Sequence, residues 1–134
     1  MNKGNEQSKP KTAFLFVVAL SAWMIPGGGY YLLGEKKRAT VVFAAIVLTF
    51  CIGIYVGSIG VIDPVGAVHW YLAQMLNSPL VAVLGYVSAS GAYPVYGKPS
   101  EIGQIYTSIS GLLNLLCIVN SVYMAYKLSA AKET

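Results

Sequence analysis

The placement of charge constrains this chain more than any other feature. Charged side chains are clustered, and the intervals 12–34, 39–62, 64–97 and 102–126 contain none. About 20 apolar residues, rising about 1.5 Å each, cross a hydrocarbon core of about 30 Å. The second and fourth intervals exceed that length, and no soluble fold of 134 residues needs such runs. Only 10% of the residues are charged and 56% are apolar, whereas a soluble domain carries roughly 25% charge. The sequence therefore predicts an all-α integral membrane protein with two to four hydrophobic helices. A mobile polar tail is expected over 1–11, a single helical membrane domain over 12–127 and a short polar tail over 128–134.

The first interval is interrupted from within. Residues 12–25 suit a helix too short to cross a full bilayer, and Pro26, Gly27, Gly28 and Gly29 then break or kink it. Tyr30 to Gly34 lead into the knot Glu35-Lys36-Lys37-Arg38. Two geometries are open. A kinked span would divide the basic residues between the two membrane faces. A hairpin hinged at Pro26–Gly29 would gather every Lys and Arg except Lys98 on one face, as the positive-inside rule favours, with both termini cytoplasmic. The hairpin is the expectation adopted. The basic N-terminus and Ala19-Leu20-Ser21 resemble a signal peptide, but the apolar run continues past that point, so a retained anchor is expected.

Two spans carry small residues at helical spacing. Ala45, Thr49, Gly53 and Gly57 form one ridge over 39–62, which Asp63-Pro64 should end. Gly103, Thr107, Gly111 and Asn114 form another over 102–126, with Ser100 as its expected N-cap. In lipid, helices associate through close packing, so the Thr49-Gly53-Gly57 and Gly103-Thr107-Gly111 ridges are expected to pair. Between them, 64–97 is apolar but interrupted by Gln74, Asn77, Ser78 and Pro79. It reads as two short interfacial or re-entrant pieces, with His69, Trp70, Tyr71, Tyr86, Tyr93 and Tyr96 at headgroup level.

The chemistry available is limited. Gly29 to Gly34 followed by Glu35 and Lys36 is no phosphate loop, because Glu35 stands where lysine is needed and no Ser or Thr follows. His69 is a lone histidine, Cys51 and Cys117 are isolated small hydrophobes, and no paired carboxylates or triad exist. No enzymatic activity, cofactor, metal or nucleotide is expected. The net charge of +4 forms no nucleic-acid patch. Lys36, Lys37 and Arg38 read as contacts to anionic lipid headgroups. Asn114 and Asn120 read as interhelical hydrogen-bonding groups, and Glu101 as a favourable charge at a helix start.

Pro26-Gly27-Gly28-Gly29-Tyr30-Tyr31-Leu32-Leu33-Gly34, followed by Lys36–Arg38, resembles the P-G-x-G-x-x-Y-L-G and basic-turn signature of small bacterial two-transmembrane-helix domains. It departs at Leu32, where tyrosine is usual, and at Glu35, where arginine is usual. Glu101-Ile102-Gly103 and Gly111-Leu112-Leu113-Asn114 are similar to the terminal helix of a related multi-pass bacterial family that carries only a domain-of-unknown-function label. Tyr71, Gln74 and Pro79 match that family's middle segment. The resemblance covers about 12–126, implies a bacterial inner-membrane protein and supplies no activity.

Two functional expectations follow. One is a non-catalytic accessory or assembly subunit that packs within a larger membrane complex or with itself. The other is a small oligomeric channel or carrier using Asn114, Asn120 and Glu101. The first is favoured, because the chain lacks the internal repeat that transporters build around a midplane site.

Overall fold

The computed structural model describes residues 9–91, 93 and 97–132. Residues 1–8 of the expected tail, Tyr96 and the last two residues lie outside them. The described residues are all-helical: α1 (Lys9–Met24), α2 (Gly28–Leu32), α3 (Lys36–Gly57), α4 (Val68–Met75), α5 (Leu80–Ser90) and α6 (Lys98–Ala131), with a 3₁₀ turn at Ile59–Val61. Among them α3 and α6 are long and apolar enough to cross a membrane.

α6 is the axis on which α1, α2, α3 and α4 pack, while α5 packs on α4 and the 3₁₀ turn. Gly57 faces Gly103, Gly53 faces Thr107, and the Arg38 guanidinium reaches the Met124 sulfur at 3.4 Å, so α3 runs antiparallel to α6. An added Cβ on Gly53 would lie 2.6 Å from Thr107 Cγ2, and one on Gly103 would lie 2.8 Å from Gly57 Cα. The two backbones approach so closely because Gly53, Gly57 and Gly103 carry no side chain to hold them apart. α4 runs parallel to α6, with Trp70 against Ser108, Ala73 against Gly111 and Leu76 against Asn114. Half of the expected ridge pairing is therefore corrected. Gly53 and Gly57 do meet Gly103 and Thr107, but Gly111 is closed by the Ala73 carbonyl of α4 and does not face α3. Thr49 is half-buried and bonds within its own helix, donating to Ala45 O at 2.8 Å.

The break after α1 is local and tight. An added Cβ on Gly29 would come within 3.0 Å of Ala22 Cβ, although one continuous helix would separate these residues by about 10 Å. α2 thus lies beside the last turns of α1 and does not extend it in line. Gly27 takes φ 82° as the N-cap of α2, a left-handed conformation suited to glycine. Pro79 likewise separates α4 from α5, and Gly85 lets the Tyr71 ring lie against α5. Tyr71 is half-buried with Met75 and Leu84 around Val61, Ile62 and Val81.

Other boundaries also moved. α6 starts at Lys98 on the N-cap Gly97 (φ 79°), so Ser100 lies inside the first turn and is not the cap. α6 continues through Ala131, across most of the expected C-terminal tail. α3 ends at Gly57, six residues before Asp63, because Ser58 leaves helical geometry at φ 63° and ψ 174°. The following 3₁₀ turn then tucks Val61 under the glycine crossing. Ser58 is exposed, and its conformation is one that glycine adopts without strain. Ser58→Gly is expected to raise stability by about 1 kcal/mol, read as a higher midpoint of unfolding in mixed micelles, with helix content unchanged.

Candidate functional site

The inward face of α6 is small and polar: Gly103, Thr107, Ser108, Ser110, Gly111, Asn114, Ser121 and Ala125 are all buried. Spacing by threes and fours keeps them on one stripe of the helix. Each polar side chain on it makes at least one hydrogen bond. Gln74 Nε2 donates to Val61 O at 3.1 Å and to Thr107 Oγ1 at 2.8 Å. The Thr107 hydroxyl donates back to Gly103 O at 2.8 Å. Ser108 Oγ reaches Trp70 O at 3.3 Å, and Ser110 Oγ reaches Thr107 O at 2.7 Å.

Asn114 is the centre of this seam. Its Nδ2 faces three backbone carbonyls, Ala22 O at 3.3 Å, Leu76 O at 3.0 Å and Asn77 O at 2.8 Å. The first belongs to the end of α1 and the other two to the end of α4. Two further bonds join the same ends: Trp23 Nε1 to Met75 O at 3.0 Å, and Ser78 Oγ to Met24 O at 3.2 Å. The two proline breaks therefore meet at one place against the middle of α6. Three side-chain oxygens, Gln74 Oε1, Asn77 Oδ1 and Asn114 Oδ1, are buried in and around this junction with no hydrogen-bond donor.

A second cluster forms where α2 meets the start of α3 and the later part of α6. Gly29 packs on the Ser121 side chain, and Asn120 Nδ2 donates to the Tyr30 hydroxyl at 2.9 Å. The Arg38 guanidinium lies 5.7 Å from the Tyr30 ring centre, and Lys36 Nζ lies 5.9 Å from that of Tyr31. Lys36, Lys37 and Arg38 are exposed. Below them Ser21, Ile25, Pro26, Gly28, Thr40 and Phe43 line a cavity of about 350 Å³. Gly27 forms part of its wall, its Cα held so near α3 that a Cβ would lie 2.7 Å from Ala39 O.

The structure thus brings Gly53, Gly57, Gly103 and Thr107 together at one crossing. It sets Gly111 and Asn114 against α4, and Pro26–Gly29 between α1, α3 and α6. His69 and Glu101 are exposed and stand apart from both clusters. Among the described residues no group of three His, Cys, Asp or Glu side chains converges, and Cys51 and Cys117 are free thiols. Sequence reasoning treated Gln74, Asn77 and Ser78 as interruptions of an apolar run and missed them as partners of the seam. The available signal was their polarity within an interval that otherwise has no use for it.

Among the described residues these features define an all-helical arrangement with two helices of membrane-crossing length, α1, α2 and α4 packing on the longer of them beside α3. The model described as a family of unknown function, DUF6677, matches residues 17–134, and the chain belongs to that family. No curated protein and no solved structure matches it.

The seam generates a direct expectation. Asn114→Leu removes the donor shared by three buried carbonyls and should lower stability by about 1–2 kcal/mol. Asn120→Leu removes one bond at an exposed position and should cost less. Equilibrium unfolding in mixed micelles separates the two.

Proposed function

We propose that the chain is a non-catalytic accessory or assembly subunit of the bacterial inner membrane, packing within a larger complex or with further copies of itself. The observation that carries this reading is the outer surface of the two long helices. Tyr55 is 90% exposed and Val41 69%, with Leu48 and Ile52 between them on α3, and Leu116, Val119 and Tyr123 are exposed on α6. Only 17% of the apolar window of α3 is buried within the chain. Such a surface needs lipid or protein around it. Exposed Ala45 extends the glycine ridge of α3 outward, and a small residue there permits another helix to approach.

The proposed topology follows from the broken segments. α1 with α2, and α4 with α5, are read as two half-membrane hairpins that enter from opposite faces and meet at Asn114. Irregular backbone at that depth is tolerated only under protein cover, which the seam supplies. The basic turn, the end of α6 and the N-terminus are then cytoplasmic, and Lys98 lies outside. The relation to two-transmembrane-helix domains rests on the Pro26–Gly34 and Lys36–Arg38 stretches and belongs to this proposal.

A small channel or carrier is the second reading, and the three unpartnered amide oxygens favour it. Against it, the polar face of α6 is turned inward and Asn114 and Asn120 are engaged with carbonyl and hydroxyl partners. One experiment with two arms tests the assignment. Gentle solubilisation of native membranes should yield a particle larger than one chain with its bilayer lipid, and Lys98→Cys but not Lys37→Cys should react with an impermeant thiol reagent on intact cells. A lone monomer whose ion flux in liposomes is lost on Asn114→Leu would overturn the accessory role. Labelling of Lys37→Cys from outside would overturn the topology.

A further inference from the structure

We infer that the cavity between α1, α2 and α3 is a binding site for an anionic phospholipid, with an acyl chain in the cavity and the phosphate at Lys36. This goes beyond the accessory role and stands without it. The cavity has a volume of about 350 Å³, within the range of pockets that hold small ligands, roughly 300–1,000 Å³. Its wall is apolar toward the Pro26 break, where Ile25, Pro26 and Phe43 line it, and Ser21 and Thr40 supply the hydroxyls.

The polarity is graded along α3. Lys36, Thr40 and Phe43 follow one another at spacings of four and three, so they share one face of the helix. The Thr40 hydroxyl donates to Lys36 O at 3.0 Å and lines the cavity one turn below the lysine. Lys36 Nζ stands 5.9 Å from the centre of the Tyr31 ring, which is itself part of the cavity wall. The site therefore has an ammonium group at one end and a greasy floor about 10 Å away at Phe43. Lys37 and Arg38 follow Lys36 in the sequence, the Arg38 guanidinium being turned to Tyr30 and Met124, and Glu35 is the one acidic residue in the turn. A molecule with one anionic head and an apolar chain complements this gradient, while a neutral or zwitterionic head leaves the excess positive charge unmatched.

The glycines shape the cavity. A side chain at Gly27 would strike the Ala39 carbonyl, and one at Gly28 would come within 3.1 Å of the Ser21 hydroxyl. Without a side chain at either position, the broken segment stays close enough to α3 to enclose a chain-width groove.

The test uses the full chain, purified in mild detergent and titrated with phosphatidylglycerol or phosphatidylcholine of matched chains, bound lipid being counted by native mass spectrometry. Phosphatidylglycerol should be retained preferentially. Lys36→Gln should reduce that preference about fivefold, the effect of one basic residue at an anionic surface, and leave phosphatidylcholine retention unchanged. Thr40→Phe, at an exposed position that tolerates bulk, should block retention of both lipids by filling the groove, with helix content preserved. Equal retention of the two lipids by the unaltered chain would overturn the proposal. So would a preference that survives Lys36→Gln, even if Thr40→Phe failed to fold.

Discussion

The last carbonyls of a helix have no intrahelical donor, and this fold ends two helices in its own interior. α1 stops at Met24 and α4 at Met75, and both ends are drawn against the buried Asn114 of α6. An unpaired amide group in apolar surroundings costs on the order of 2–7 kcal/mol. The arrangement is stable because the two ends satisfy one another. Ala22, Leu76 and Asn77 carbonyls share the Asn114 amide, Met75 accepts from Trp23, and Met24 accepts from Ser78. Neither break can be moved alone, since each supplies or positions donors for the other.

That junction explains the rest of the packing. With α4 held against α6 by Asn114, Gly111 must be glycine because the Ala73 carbonyl occupies the space of its side chain. With α2 turned beside α1, Gly29 must admit the Ser121 side chain and Tyr30 reaches Asn120. The remaining face of α6 is left to α3, which meets it backbone to backbone at Gly53, Gly57 and Gly103. α6 thus receives α1, α2, α3 and α4 on its small and polar side and leaves its Leu, Val and Tyr face exposed.

Much of this was legible in the sequence, and the reasons are physical. Uncharged intervals identify the two long helices because length and apolarity act locally. The Pro26-Gly27-Gly28-Gly29 break is equally local. The partners of each ridge were not legible. Gly53 and Gly111 look alike in a helical projection, yet one faces a helix that runs antiparallel and the other faces α4, a choice made by tertiary packing. Asn114 signalled a buried hydrogen bond, but its acceptors are backbone carbonyls, which carry no residue identity to be read. Ser58 ended α3 before the Asp63-Pro64 stop because Gly57 had already brought the chain to the α6 crossing.

The central claim is that the two breaks meet, and proximity across them measures it most directly. In a chain with Cys51→Ser and Cys117→Ser, Met24→Cys and Ser78→Cys occupy positions whose groups now lie 3.2 Å apart, hydroxyl to carbonyl. A short bifunctional thiol reagent should join this pair rapidly in membranes, and should not join Met24→Cys to Ser90→Cys at the far end of α5. Equal yields for the two pairs, or none for the first in a chain that retains its helix content, would contradict the account.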